Sequence, residues 1–301
     1  MLRPFALLRP ATLPEVADIL DAHADEVVLY AGGTELLLLM KEGVIRPRGL
    51  VDVKRVAGLG GIAEEGGALA IGATVRHREV EQSPVVAARC PVLAGVARHV
   101  ANVRVRNVGT VGGNLAFADP HSDLATLFLA LDATVQLWSR RGARAVAMGE
   151  FVRGAYETAR ADDEVLTAVR FAPWADGTAA AYLKYGVYER PTLGVALALT
   201  PGRDGAIAAA RVAVGCVGHR PQRLQEVEGA AAGRALRDVD TGAEDLAAAA
   251  AREVETVDDR HGSAEYKREM TRVFVRRALG LAAARARGEE GHLRHPHTVV
   301  V

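Results

Sequence analysis

Ala31-Gly32-Gly33-Thr34-Glu35 and Thr110-Val111-Gly112-Gly113-Asn114 are two glycine-centred loops, each placed where an apolar strand or turn hands over to a helix. Consecutive residues without Cβ can take positive φ, turn sharply and aim several N–H groups at one anion. A flanking Thr or Asn adds a side-chain donor. One Gly-Gly pair is no more than a turn. Two pairs with matched flanks point to a ligand carrying two phosphoryl groups, and a β-branched residue at Gly33 or Gly113 is expected to be strained.

Outward from the first loop, Val27 to Tyr30 reads as a short strand, and Glu35 to Lys41 is a run of helix formers closed by Gly43. Strand, glycine turn and helix start follow the order of a phosphate site. The second loop continues as Leu115-Ala116-Phe117-Ala118-Asp119-Pro120-His121-Ser122-Asp123 into the apolar segment Leu124 to Leu131, which reads as a buried helix. Asp119 and Ser122 suit either helix caps or ligand contacts. His121 has the same two readings, beside the diphosphate or as a cap.

Thr12-Leu13-Pro14-Glu15 resembles a capping box opening a helix with Val16, Ile19 and Leu20 on one face. Candidate strands recur at Val51 to Val53, Ala68 to Gly72, Thr134 to Leu137 and Val165 to Phe171, and a helix is expected from Pro91 to Val100. The pattern breaks at Pro173-Trp174-Ala175-Asp176-Gly177, which sets a domain boundary between 1–175 and 176–288. Beyond it, Tyr182 to Tyr188, Leu193 to Leu199 and Ala209 to Val217 read as three strands, followed by helices over Pro221 to Ala232, Ala243 to Val257 and Ser263 to Arg287. The arginines of the last helix suit a solvated face or a subunit interface. The polar stretch 289–301 reads as a frayed tail, and its His292, His295 and His297 are not assigned a metal.

The 301 residues carry 37 basic and 37 acidic side chains, which argues against nucleic acid or an anionic membrane surface as partner. No apolar run approaches the roughly 20 residues of a membrane span. Arg9 and Pro10 cut short any signal-like core at the amino terminus, so a cytoplasmic protein is expected. Cys90 and Cys216 are too few for an iron–sulfur cluster, which takes four thiolates, and read as small buried hydrophobes. Gly58-Leu59-Gly60-Gly61-Ile62-Ala63 satisfies G-x-G-x-x-A, with Glu79 at a distance suited to a ribose contact, so an NAD-binding Rossmann enzyme is an alternative. Glu64-Glu65-Gly66-Gly67 stands where that fold needs a helix, which makes the segment a turn between strands. Matches to G-x-x-x-x-G-K-[ST], H-E-x-x-H and G-x-S-x-G are absent.

The chain resembles the FAD-binding, medium subunits of the molybdenum hydroxylases, the group that includes carbon monoxide dehydrogenase and xanthine dehydrogenase-type enzymes. The resemblance rests on Leu29 to Leu36, Leu50-Val51-Asp52-Val53, Ile71-Gly72-Ala73-Thr74, Val108 to Ala116 and Asp119 to Asp123. Tyr182-Leu183-Lys184, Val214 to Gly218 and Ser263 to Arg268 are looser matches in the family's order.

This resemblance implies an α+β fold: a two-part FAD-binding domain of the vanillyl-alcohol-oxidase type, then a three-stranded antiparallel sheet with helices. It implies FAD held by a strip of Leu29, Tyr30, Ala31, Gly32, Gly33, Thr34, Glu35 and Leu36. Backbone amides of that strip and of Gly109, Thr110, Gly112, Gly113 and Asn114 would cradle the pyrophosphate. Thr110, Asn114 and Asp123 would also hold the cofactor through side chains, Val100, Leu166 and Lys184 would line the rest, and Leu193 or neighbouring Thr192 would close over the isoalloxazine. For Lys184 an ordinary surface position is the other reading. No side chain is implied as catalytic acid or base. Implied partners are a molybdopterin-containing large subunit and a [2Fe–2S] small subunit in a dimer of heterotrimers, with electrons passing through FAD to an external acceptor. A flavin-binding assembly subunit without turnover is the alternative role.

Overall fold

The described residues of this computed structural model are 2–187, 190–289, 291, 293 and 295–301. The amino-terminal layer is a three-stranded parallel sheet in the order Ala6–Leu8, Gly49–Asp52, Val27–Tyr30. Helix Leu13–His23 covers it, burying Val16 with Val51 and Val53. Its start is capped as the sequence predicts: Glu15 N donates to Thr12 Oγ1 at 3.3 Å, and Ala11 N donates to Glu15 Oε2 at 2.7 Å. The reciprocal bond therefore falls one residue earlier than in a standard capping box.

A second, antiparallel sheet runs Ile62–Glu65, Ala68–Gly72, Val165–Phe171, Thr134–Ser139, Gly142–Ala147. Gly58 (φ +82°) and Gly61 (φ +91°) turn the chain into its first strand, so the G-x-G-x-x-A segment is the expected turn with no helix behind it. Helix Asp123–Ala130 has all 8 residues buried. Its Leu124, Leu127 and Phe128 are each at most 1% exposed, and burying such side chains stabilises the fold by about 1.5–3 kcal/mol apiece.

The expected three-stranded sheet has five strands: Gln222–Arg223, Ile207–Gly215, Leu193–Pro201, Ala179–Tyr185 and Thr298–Val300, all antiparallel. Of the two added edge strands, Gln222–Arg223 takes the start of the stretch expected as helix from Pro221, whose helix begins at Gln225, and Thr298–Val300 comes from the stretch expected to fray. Its Val299 pairs with Lys184, and the Val301 side chain fills the space that Gly95 leaves by lacking a Cβ. Three consecutive valines favour a strand wherever an unpaired edge is within reach. His292 lies outside the described residues, while His295 and His297 flank this strand.

One face of the sheet packs on helices Val239–Glu253 and Ala264–Ala286 through Leu183, Val195, Leu197 and Phe274. The other face, through Tyr182, Ala196 and Ala213, joins the core around Phe128. Gly194 and Gly215 are directly paired, and their missing side chains admit the Tyr182 hydroxyl and the Thr126 side chain. Among the described residues, no helix is long and apolar enough to cross a membrane.

Candidate functional site

The first glycine loop leaves the carboxyl end of strand Val27–Tyr30 and enters helix Leu36–Lys41, whose first turn is closed by Leu37 N donating to Gly33 O at 3.0 Å. Gly33 sits at φ +72°, and a Cβ there would collide with the Tyr30 ring. Lys54 braces that ring, its ammonium lying 3.8 Å from the centroid and donating to Ala31 O at 3.2 Å. Among the described residues, the N–H groups of Gly32, Gly33, Thr34 and Glu35 make no hydrogen bond to another protein group. These donors are available to a ligand.

The second loop is built differently. Thr110 is the N-cap of helix Val111–Phe117, its Oγ1 accepting from Gly113 N at 3.1 Å. Gly109 N donates to Val105 O, Val111 N to Val75 O at 2.9 Å, Gly112 N to Ala73 O at 2.9 Å and Asn114 N to Thr110 O at 2.9 Å. The amides of Gly109, Gly112, Gly113 and Asn114 are thus bonded inside the fold, while among the described residues Thr110 N donates to no protein group, so the two loops are not equivalent amide cradles. Gly113 does not take positive φ, so the strain expected there is confined to Gly33. The glycines serve close approach instead: a Cβ on Gly112 would lie 2.6 Å from Ala73 Cβ and 2.8 Å from Ala73 O. Replacing Thr110 by Val removes the cap, and the thermal stability of the flavin-free chain is expected to fall by about 1 kcal/mol; unchanged melting would show that the cap contributes nothing.

The two loops touch. A Cβ on Gly32 would run into the Val108 carbonyl and lie 2.7 Å from Gly109 Cα. Around this junction, Leu29, Tyr30, Ala31, Gly32, Gly33, Thr34, Glu35 and Leu36 share one cleft with Gly109, Thr110, Gly112, Gly113 and Asn114. Val100, Asp123 and Leu166 complete it, giving a volume of about 730 Å³. That size lies in the range of about 300–1,000 Å³ typical of cofactor sites.

Leu193, its alternative Thr192 and Lys184 do not line the cleft. Leu193 is fully buried on the helix-facing side of the third sheet. Alternation along the strand explains the miss, because Gly194 is the residue that faces the first domain. Instead Arg190 and Pro191 reach the cleft. Lys184 is neither exposed nor at the wall; its Nζ donates to Asp123 Oδ2 at 2.7 Å and to His99 O at 2.9 Å. Asp123 in turn accepts from the Tyr182 hydroxyl at 2.9 Å.

Ser122 caps the buried helix, accepting from Ala125 N at 3.1 Å, and donates to Asn114 Oδ1 at 2.6 Å. Asp119 accepts from His121 N at 2.9 Å and pairs with Arg190 at 3.1 Å, while Arg190 also pairs with Glu35 at 2.9 Å. The cap of helix Asp123–Ala130 is Ser122, not His121. The His121 Nδ1 donates to Pro191 O at 2.7 Å, and its Nε2 lies 3.3 Å from Asp259, which Lys267 holds from behind at 2.6 Å. Sequence reasoning missed Arg190, Tyr182 and also His77, which lines the cleft with its backbone N–H on Gly109 O at 3.0 Å. Arg190 and His77 sit in no motif quoted from the sequence, and Tyr182 lies in the Tyr182-Leu183-Lys184 stretch without a site role being read from it; only the fold brings the three together here.

Residues 3–174 match the family model described as the FAD binding domain in molybdopterin dehydrogenase, and residues 186–282 match the CO dehydrogenase flavoprotein C-terminal domain. The chain belongs to the FAD-binding medium-subunit family of the molybdenum hydroxylases. FAD is its cofactor, and it is an oxidoreductase component. Among relatives of this medium subunit, the carbon monoxide dehydrogenase medium chain of Hydrogenophaga pseudoflava is 33% identical over 92% of this chain and 96% of its own length. The nicotine 6-hydroxylase medium subunit of Paenarthrobacter nicotinovorans is 32% identical, with 92% and 96% covered. A chain in the crystal structure of quinoline 2-oxidoreductase from Pseudomonas putida 86 superposes with a TM-score of 0.88 at 30% identity, covering 95% of this chain and 99% of that one. A Cu,Mo-CO dehydrogenase chain gives 0.89 at 31%, with the same coverage. The cleft fits the flavin, because the uncommitted amides of the first loop suit a pyrophosphate approaching the backbone, and the glycines of the junction let the two loops pack together to form one wall.

Proposed function

We propose that the chain is the electron-transfer subunit of a molybdenum hydroxylase complex, taking electrons from [2Fe–2S] clusters of a small partner subunit and delivering them through FAD to an external acceptor. The supporting observation is the junction of the two glycine loops at one cleft, with the N–H groups of the first loop free to donate. When bound, FAD supplies the reversible redox chemistry of the transfer.

The chain's own residues bind and orient. In this reading Gly32, Gly33, Thr34 and Glu35 donate N–H groups to the pyrophosphate, Asn114 adds a side-chain amide, and Tyr30 and Leu29 form the floor. Val100 and Leu166 pack against the cofactor from opposite elements of the cleft. Arg190, held by Glu35 and Asp119, closes the mouth in place of Leu193. Lys184 acts from behind Asp123. No side chain is assigned as catalytic acid or base, and the flavin is bound without a covalent link.

The fold is assigned to the vanillyl-alcohol-oxidase type, with the FAD domain over 1–175 and the second domain over 176–288, to which the strand of the 289–301 segment is joined. Partners are the molybdopterin-containing large subunit and the [2Fe–2S] small subunit, arranged as a dimer of heterotrimers in the cytoplasm. The test is to purify the chain with those two subunits, identify the extracted cofactor and follow the visible flavin bands. Bleaching by reducing equivalents from the molybdenum subunit and return on adding an acceptor is the expected result. A flavin that stays oxidised would instead favour a scaffold role without turnover.

A further inference from the structure

We propose that Tyr182 is a positioning residue for the cofactor cleft, holding the Asp123 carboxylate in place together with Lys184; this rests on the FAD reading above. Tyr182 and Lys184 are two apart on strand Ala179–Tyr185, so they leave the same face of the sheet. Both reach the first residue of the buried helix Asp123–Ala130. The hydroxyl takes Asp123 Oδ1 at 2.9 Å and the ammonium takes Oδ2 at 2.7 Å, so each carboxylate oxygen has one donor and the plane of the group is fixed. Asp123 is 6% exposed, yet it belongs to the cleft wall.

A carboxylate buried this far needs its lone pairs filled, and removing one donor leaves a costly charge. The cationic half of the arrangement is itself tied down, because Lys184 Nζ also donates to His99 O, one residue before cleft-lining Val100. Tyr182 is 1% exposed, and its hydroxyl occupies the space that Gly194 leaves on the neighbouring strand. Burial and then the Asp123 charge push the Tyr182 phenol well above its ordinary value of 10.0, so the group remains a donor. Asp123 is followed along the wall by Ser122 and Asn114, linked at 2.6 Å, which carries the constraint to the second glycine loop.

The experiment is FAD titration of the full chain, by quenching of flavin fluorescence, for wild type, Tyr182→Phe, Asp123→Asn and the double variant, with apo-protein melting measured alongside. Phe keeps the ring and removes one hydrogen bond that fixes the Asp123 carboxylate, and FAD affinity is expected to fall roughly 10-fold as that group leaves its binding geometry. In the Asp123→Asn background the same substitution is expected to cost less than 3-fold. A positioning role requires that coupling, whereas a general packing defect would lower both backgrounds equally. Thr271→Val, a buried hydroxyl bonded only within its own helix, serves as the control and is expected to bind FAD as wild type does. If Tyr182→Phe unfolds, Lys184→Met tests the same carboxylate from its other oxygen, and FAD binding equal to wild type there overturns the proposal. Unchanged FAD affinity in a folded Tyr182→Phe, or equal losses in both backgrounds, overturns it while leaving the flavin reading intact. Refusal of FAD by the wild-type chain overturns the flavin reading and this inference with it.

Discussion

Gly33→Val is expected to weaken FAD binding by at least 100-fold while the flavin-free chain still folds. Gly33 stands at φ +72°, a region that costs a β-branched residue about 1–3 kcal/mol, and its new Cβ would also collide with the Tyr30 ring. That ring cannot swing away freely, since Lys54 lies over its face and is itself anchored to Ala31 O and Asp52. Relief must come from the loop. Once the loop moves, the uncommitted N–H groups from Gly32 to Glu35 lose their convergence, and the loss appears in the cofactor rather than in the core. Gly33→Asn, which tolerates left-handed backbone better, is expected to fall between wild type and Val. Gly112→Val is expected to damage folding as well, because its Cβ meets the Ala73 backbone. Gly113→Val is expected to be the mildest of the three, its one close neighbour being the Thr110 hydroxyl at 2.8 Å. Titration with FAD alongside apo-protein melting separates these outcomes, and wild-type affinity in a folded Gly33→Val would remove the first loop from the site.

Much of the scaffold was legible in the sequence because local rules and tertiary demands agree there. Helices Pro91–Arg98 and Ala264–Ala286 fall within two residues of the expected bounds, and strand Val165–Phe171 matches them at both ends. The glycine loops were legible as a pair but not in their division of labour. Nothing in Thr110-Val111-Gly112-Gly113-Asn114 reveals that Ala73 and Val75, in the turn that follows strand Ala68–Gly72, will claim its amides, since those bonds require the second sheet to be assembled first. The edge strand Thr298–Val300 was missed for the same reason: three valines in a polar tail find their partner only when Ala179–Tyr185 presents an open edge. Leu193 opens a strand on the face turned to the helices, while Arg190 and Pro191, just before that strand, reach the cleft, a division that alternation alone does not reveal. Lys267, on the helix whose arginines read as a solvated face or an interface, is wholly buried and paired with Asp259, a partner that its place in the sequence does not announce.

Acidification from pH 6.5 toward 4 is expected to destabilise the chain through His77 by about 3 kcal/mol, and His77→Gln is expected to abolish that component. The imidazole is 3% exposed, and its Nδ1 has no hydrogen-bond partner among the described residues. Burial, and then the neighbouring Arg106 charge, lower its pKa from 6.5 to about 4. Between those values the unfolded chain binds a proton that the folded chain refuses, so stability is fully present above pH 6.5 and is lost as the pH falls toward 4. Each pKa unit corresponds to about 1.4 kcal/mol, which sets the size of the effect. The consequence reaches the cleft because His77 packs on Gly109, 3.1 Å from where that glycine's Cβ would stand, and its N–H holds the Gly109 carbonyl. Protonation in the folded state would force the ring toward water and pull the second loop from the first, so flavin release is expected to track the same pH window. Denaturant titrations of wild type and His77→Gln at a series of pH values isolate this term, since the carboxylates that also respond to acid are common to both proteins. Parallel stability curves for the two would show that the imidazole takes up its proton equally in the folded and unfolded chains.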